Sequence, residues 1–540
     1  MTNFIVRSIA LPLLALLLPI LATAQSVDER PNFLLIVTDD MGYTDLGAFG
    51  GFDIPTPHLD GLARAGVRFS NFHATPSCAP TRASLMTGTG NTEAGLGTQL
   101  AYAGLEGWGY ERYLQDRVAT LPELLQGGDY HTLMSGKWHI TSADPSGSLP
   151  RDHGFSRDFA LLQGADSHVD SVFESTMQYS LDGQRIPDPL IGTYSTNLYV
   201  DKLIGFLQDK LDSNNQQPFF AWFAPTAPHW PLQYPPGWES VFDGAYDEGF
   251  DVLCMRRMAA ASAEGVLPPN ADIETCSKEE AAWEDLDQEK RDTYLATMEV
   301  YAAMTAHLDQ ETGRLLAFMR ENGLLENTWV IYMNDNGPQG GGTSPRAMGD
   351  MAVNEFDNSL QNIGQPDSWP ALGQGWADAI SSPLRAGKAS QFEGGVRVPA
   401  FAWHANYHAP GEVDPQYLHA MDIAPTLLDF AGVYAPIGQW QGRDILPMRG
   451  VTFRPSLTGS PQAARDSEDA VILSGSGKHY VARGDWKLVY HDDTGWQLFN
   501  LADDPGETND VAGDYPQQFD ALMEEFRAAA EQLNYRERTD

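Results

Sequence analysis

Five short stretches of the chain combine turn-forming residues with reactive side chains: Asp39-Asp40, Cys78 to Gly88, Gly136 to His139, Pro228 to Pro231, and Asn334 to Gly337. Asp39, Asp40, Asp335 and Asn336 offer only oxygen donors, which suits a hard cation and not zinc, a metal that prefers nitrogen and sulfur. Calcium tolerates about six to eight oxygens at irregular positions, whereas magnesium demands an octahedron, so calcium is the first choice and magnesium the second. His139 and His229 can move protons, since an imidazole ordinarily titrates near about 6.5. Taken singly, each stretch has a plain structural reading. An acidic pair after a strand caps a helix, Asn-Gly makes a tight turn, a histidine between prolines stiffens a loop, and Lys137, His139 and Lys388 are surface residues.

Their positions relative to the predicted elements change that reading. Asn32 to Thr38 (NFLLIVT) is a continuous apolar run with many branched residues, the pattern of a strand buried on both faces, and Asp39-Asp40 follows at its carboxyl end. Similar runs occur at Phe219 to Phe223 and Trp329 to Tyr332, while Leu121 to Leu125, Val200 to Leu207 and Tyr294 to Phe318 read as helices. Alternating strands and helices predict an α/β fold, a large, mostly parallel sheet sandwiched by helices. In such sheets ligands gather beyond the carboxyl ends of the strands, where these stretches fall. Met421 to Gly432 reads as a helix stopped by glycine. Beyond it, strand-like runs near Ala470 to Leu473, Trp486 to Tyr490 and Trp496 to Phe499, with a last helix near Gln517 to Gln532, predict a smaller C-terminal α+β domain with an antiparallel sheet. The expected division is a leader over 1–24, a large domain over 25–435 and the small domain over 436–540. Ala261 to Asp292, acidic and rich in alanine, reads as a helical surface insertion.

The 540 residues carry 34 Lys and Arg against 73 Asp and Glu, a formal charge of −39, with 42% hydrophobic residues. This is a globular and strongly acidic chain, which excludes nucleic-acid binding by bulk charge and a polybasic membrane surface. In the first 24 residues Arg7 is the lone charge, and Ile9 to Leu21 is apolar and ends in Ala22-Thr23-Ala24. This predicts an export leader cleaved near Gln25, no stable membrane insertion after cleavage, and a periplasmic or secreted protein. In that compartment the three cysteines form an odd set: Cys254 and Cys276 either close a loop or stay as two thiols, and Cys78 is the one left over.

Cys78-Ala79-Pro80-Thr81-Arg82 fits C-x-P-x-R and continues as x-x-L-x-T-G through Gly88. Together with PNFLLIVTDDMG, GKWH, PFFAWFAPTAPHWPL, NDNG, GKASQFEGGVRVPAF, MDIAPTLLDFAG, GDWKL and DPGETND, in that order along nearly the whole chain, it resembles the type I sulfatases of the alkaline phosphatase superfamily. The segments EFDNSLQNIG and GQGWADAISSPLRAGK resemble bacterial arylsulfatases in particular.

The resemblance implies that a separate maturation enzyme converts Cys78 to formylglycine, whose hydrate is a geminal diol. One hydroxyl would attack sulfur, and deprotonation of the other would expel sulfate by carbon-oxygen cleavage and restore the aldehyde. It further implies that Asp39, Asp40, residue 78, Asp335 and Asn336 surround the divalent ion and that Arg82 and Lys137 stabilise the diol. His139 would be the general base, His229 the general acid, and Lys137, His229 and Lys388 would bind the sulfate. The implied substrate is an aryl or saccharide sulfate ester. A formylglycine-dependent phosphonate monoester or phosphodiester hydrolase is the alternative, because it can share nucleophile and metal. Thr81 stands where the family more often has Ser. Asn334 likewise replaces a frequent Ser, Gly90-Asn91-Thr92-Glu93 lacks histidines frequent in related enzymes, and Ile140-Thr141 follows His139 in place of Leu-Gly. These departures bear on substrate size and selectivity.

Overall fold

The computed structural model describes residues 29–535, except 99–104, 142, 143, 145, 170–177, 188, 191, 269–275, 277–279, 342–355, 476 and 534. The expected leader over 1–24 therefore lies outside the described residues, as does Glu355, the first residue of EFDNSLQNIG.

A ten-stranded sheet forms the centre of the large part. Its middle strands run parallel in the spatial order Thr328–Asn334, Asn32–Thr38, Phe219–Ala224, His131–Lys137 and Arg157–Leu161. Antiparallel pairing extends both sides, with Ala400–Trp403 and Val67–Phe69 on one and Tyr179–Leu181 and Gln184–Ile186 on the other, and Glu412–Asp414 adds a tenth strand parallel to Val67–Phe69. The period-two geometry of a strand sends alternate side chains to opposite faces, which explains the unbroken apolar runs. Leu34 and Ile36 enter one core, with the helices Pro57–Ala65, Ser195–Asp212 and Gln288–Glu321. Phe33, Leu35 and Val37 enter the other, with Cys78–Thr87, Leu121–Gly127 and Ile423–Ala431. Each large side chain buried there contributes roughly 1.5–3 kcal/mol.

The smaller part is a four-stranded antiparallel sheet, Val471–Gly475, Lys478–Arg483, Trp486–His491 and Gly495–Asn500. One face packs Tyr480, Val489 and Phe499 on Phe392 and Val396 of the large part; the other packs Val481, Leu488 and Leu498 on Leu522 and Phe526 of the helix Pro516–Leu533. A buried ionic cluster crosses the first of these contacts. Lys487 Nζ lies 2.7 Å from Glu393 and 3.0 Å from Glu507, and His73 Nε2 is 3.0 Å from Glu393. The expected fold class is thus the observed one.

One expectation is corrected and one open alternative is resolved. Ala261 to Asp292 is not one helical insertion, because its described part contains the end of Phe250–Ala263, a short 3-10 turn at Trp283–Asp285 and the start of Gln288–Glu321. Cys254 and Cys276 are paired in a disulfide across this stretch. Among the described residues, no helix is long and apolar enough to cross a membrane.

Candidate active site

The parallel strands deliver their carboxyl ends to one place. Thr38 leads into Asp39 and Asp40, Lys137 closes its own strand and leads to His139, Ala224 leads through Pro228 to His229, and Asn334 leads into Asp335 and Asn336. Cys78 begins the helix Cys78–Thr87, every residue of which is buried, so the positive end of the helix dipole faces the same point. Thr81 secures the approach to that helix: its hydroxyl accepts from Thr75 N at 3.0 Å and lies 2.7 Å from Thr75 Oγ1. The hydroxyl retained by Thr in place of Ser therefore has a local structural use.

The buried charges interlock. Lys137 Nζ donates to Asp39 Oδ2 at 2.5 Å. Arg82 donates through Nε and Nη2 to Asp335 Oδ2 at 2.9 and 2.8 Å, and through Nη1 to the Lys137 carbonyl at 2.8 Å. Lys388 Nζ meets both oxygens of Asp40 at 2.7 and 2.9 Å, and Asn336 Nδ2 donates to Asp40 Oδ1 at 2.6 Å. His229 Nε2 lies 3.5 Å from Asp40 Oδ2, and Cys78 Sγ lies 3.5 Å from Asp39 Oδ1. Nine of the ten residues expected from sequence therefore gather in one cluster, and the tenth, His139, lines the cavity shared by Cys78, His229 and Lys388.

The oxygen set fits a divalent cation. Asp335 Oδ1 and Asn336 Oδ1 are buried with no hydrogen-bond partner, an expensive state unless something else supplies positive charge. Ligand atoms of Asp39, Asp40, Cys78 and His229 lie within 4.8 Å of one another. Burial, with Asp39 close by, pushes the Asp335 carboxyl up, and burial does the same to Asp40. Asp39 goes the other way: burial opposes its charge, but Lys137 and the neighbouring cationic groups outweigh it and hold the carboxyl low.

A cavity of about 560 Å³ opens above this cluster. Cys78, His139, His229 and Lys388 line it, whereas Arg82 and Lys137 are fully buried beneath. Burial pushes the Cys78 thiol up to about 12, and Lys137 and Lys388 offset only part of this, so the unmodified side chain is a thiol and not a thiolate at neutral pH. Burial, together with Lys137 and Arg82, pulls His139 well below its ordinary value; burial and Lys388 do the same to His229. The unperturbed imidazole expected for His229 is therefore corrected to a neutral ring. Its Nδ1–H donates to the Trp230 carbonyl at 2.6 Å, which leaves Nε2 bare in the free protein.

Several residues around the cavity had no sequence signal. His168 donates to the His229 carbonyl at 3.0 Å and pairs through Nδ1 with Ser195 Oγ at 2.8 Å, fixing the loop that carries His229. Gly164 packs so closely that a Cβ there would stand 2.6 Å from the His139 ring. Lys478 and His491 reach the cavity from the C-terminal sheet, about 400 residues away from Cys78. None of these sits in a recognisable motif.

Gly337 is required by a close approach of two loops. A Cβ at this position would lie 1.7 Å from the Gly394 carbonyl oxygen, and Gly337 N already donates to Gly395 O at 3.0 Å. Gly337→Ala is expected to force Asp335-Asn336 away from Gly394-Gly395 and so out of register with Arg82 and Asp40. A displacement of about 1 Å at such a site costs about 10²-fold in rate, so kcat should fall by at least that factor. Steady-state kinetics on folded variant, verified by circular dichroism, checks this; activity within a few-fold of wild type would show that the loops can separate harmlessly.

Similarity to known proteins agrees with the geometry. The Sulfatase family model matches residues 31–433. An uncharacterized sulfatase of Schizosaccharomyces pombe is 36% identical over 530 residues, covering 93% of each chain. An arylsulfatase of Klebsiella aerogenes is 34% identical over 435 residues, covering 79% of this chain and 91% of that one. Among solved structures, one of a protein in complex with its substrate D-glucosamine-2-N,6-O-disulfate superposes with a TM-score of 0.62 at 23% identity, covering 94% of this chain and 98% of that one. With the matched domain spanning the strand ends that carry the charged cluster, this chain belongs to the sulfatase family of the alkaline phosphatase-like superfamily and is a sulfuric ester hydrolase.

Proposed function

We propose that the chain hydrolyses aryl or saccharide sulfate monoesters through residue 78 in its formylglycine form, with a divalent cation held by Asp39, Asp40, Asp335 and Asn336. The observation that carries this reading is the placement of Cys78, a protonated and buried thiol, at a helix N-terminus on the floor of a cavity ringed by His139, His229 and Lys388. A thiol so placed is poorly suited to attack as it stands. The hydrated aldehyde supplies a nucleophilic hydroxyl with a second hydroxyl on the same carbon, and the cation, calcium first and magnesium second, supplies Lewis acidity toward sulfate and nucleophile oxygens.

The protein's own groups do the rest. Lys137 and Arg82 hold the carboxylates in place and set a positive potential below residue 78. His139, neutral and with Nδ1 unpartnered, is free to accept a proton from residue 78. Lys388 binds sulfate from the cavity side. His229 delivers a proton from Nε2 to the leaving oxygen, since the negative charge of bound sulfate raises the proton affinity that burial and Lys388 depress in the free protein. The maturation enzyme is the partner this chemistry requires. The leader at 1–24 and the Cys254–Cys276 disulfide support an exported, periplasmic or secreted location.

Mass spectrometry of the residue-78 peptide from the native host, alongside assays with 4-nitrophenyl sulfate and an aryl phosphonate, tests the reading. Formylglycine and a preference for sulfate are expected. Unmodified cysteine throughout an active preparation, or a larger kcat/KM for phosphonate, would sink it.

Salt provides a further check. With a formal charge of −39, long-range encounter with an anionic ester is repulsive, while the lysines act only within the cavity. Raising ionic strength toward about 0.1 M, where screening acts over about 10 Å, is expected to increase kcat/KM. A monotonic fall from the lowest salt would contradict this.

A further inference from the structure

The lining of the cavity is electrically one-sided. Among the described residues that form it, Lys388 and Lys478 are cationic and none is Asp or Glu, in a chain where acids outnumber bases 73 to 34. The two lysines are not equivalent. Lys388 is committed to both oxygens of Asp40 at 2.7 and 2.9 Å. Lys478 has a looser pairing, 3.6 Å from Asp492, whose side chain is 50% exposed while that of Lys478 is 26% exposed. A half-exposed pair at that distance contributes little and is readily given up. Lys478 therefore presents a cation to the cavity that the reaction centre does not use.

His491 stands beside it on the same sheet. Its ring packs on Phe392, with centroids 5.6 Å apart, and its Nδ1 accepts from Asp493 N at 3.3 Å. In the neutral ring the proton then resides on Nε2, which makes that nitrogen a donor. A lysine and an imidazole N–H from the C-terminal sheet thus line the same cavity as Cys78, His139 and His229.

We propose that the C-terminal sheet recognises the leaving group, and that Lys478, aided by His491, binds a second anionic group on it, a sulfate or a carboxylate. This rests on the sulfatase reading above and adds the substrate class: sulfate esters of alcohols that are themselves anionic. The Lys478 ammonium exchanges its loose contact with Asp492 for a closer one with the substrate anion. The −39 chain then discriminates in favour of dianionic substrates at short range, although it repels them at long range.

Titration calorimetry of the metal-loaded, matured enzyme tests this without turnover. The probes are N-sulfoglucosamine and glucuronate, each compared with neutral N-acetylglucosamine. Wild type is expected to bind at least one anionic probe about tenfold or more tightly than the neutral sugar, and the probe preferred identifies the group. Lys478→Met should abolish that preference and Lys478→Arg should retain most of it, a rescue that a merely structural lysine would not show. Equal affinity for all three sugars, no binding of either anion, or an undiminished preference in Lys478→Met overturns the inference. Turnover of 4-nitrophenyl sulfate by wild type is measured separately. Its absence would count against the catalytic reading alone, while the calorimetry still judges the subsite.

Discussion

Cys78→Ser is expected to lower steady-state turnover of an aryl sulfate by at least about 10⁴-fold, the scale on which nucleophile removal is felt in other hydrolases. Serine is smaller in polarisability but close in size, so the fully buried helix Cys78–Thr87 should tolerate it. Its hydroxyl can attack sulfur once. The resulting sulfate ester carries no second oxygen on the same carbon, and release would need water to displace at the same sulfur within a cavity the side chain now blocks. The measurable result is a burst of phenol no larger than the enzyme concentration, followed by arrest, with intact mass raised by one sulfo group. Sustained turnover near the wild-type rate would show that residue 78 is not the nucleophile.

Stripping divalent ions should cost about 10³-fold or more in kcat and, independently, lower the thermal midpoint by several degrees. The reason is electrostatic. Asp39, Asp40 and Asp335 bring three carboxylates into a space where burial disfavours their charge, and Asp335 Oδ1 and Asn336 Oδ1 find no donor from the protein. A cation of the right hardness satisfies both deficits. Calcium should restore activity and midpoint more fully than magnesium. If verified removal changes neither activity nor midpoint, the assigned ligands do not hold an ion.

The strands at the centre of the sheet were legible because burial on both faces leaves only one solution, an unbroken apolar run. NFLLIVT was expected as a strand over Asn32 to Thr38, and the strand has those bounds. The strand His131–Lys137, which lies beyond Phe219–Ala224 in the same sheet, was not foreseen. Its sequence HTLMSGK is polar, and its Thr132, Ser135 and Lys137 are buried through tertiary partners that periodicity cannot reveal, such as the Ser135 hydroxyl donating to the Tyr199 carbonyl at 2.7 Å. Short outlying strands of three or four residues, such as Val67–Phe69 and Ala400–Trp403, carry too little pattern to register. Within the site, Asp39, Asp40, His229, Asp335 and Asn336 could be named because each follows an apolar strand, and Cys78, Arg82, Lys137, His139 and Lys388 because their motifs resemble those of a known family. The protonation of His229 could not, since it depends on burial and on Lys388, 159 positions later. Lys478 and His491 were likewise invisible, because their place in the cavity is set by how one sheet docks on another.

That docking also limits what can be done to the molecule by engineering. Glu393 begins the turn that carries Gly394 and Gly395 against Gly337, and its charge is met by Lys487 from the C-terminal sheet and by His73 from the large part. Removing one member of a buried ion pair typically costs about 3–5 kcal/mol. The C-terminal sheet is therefore not a cassette. A chimera that grafts another enzyme's sheet to change substrate range must import counterparts of Lys487 and Glu507, or it will trade a new specificity for a misaligned reaction centre.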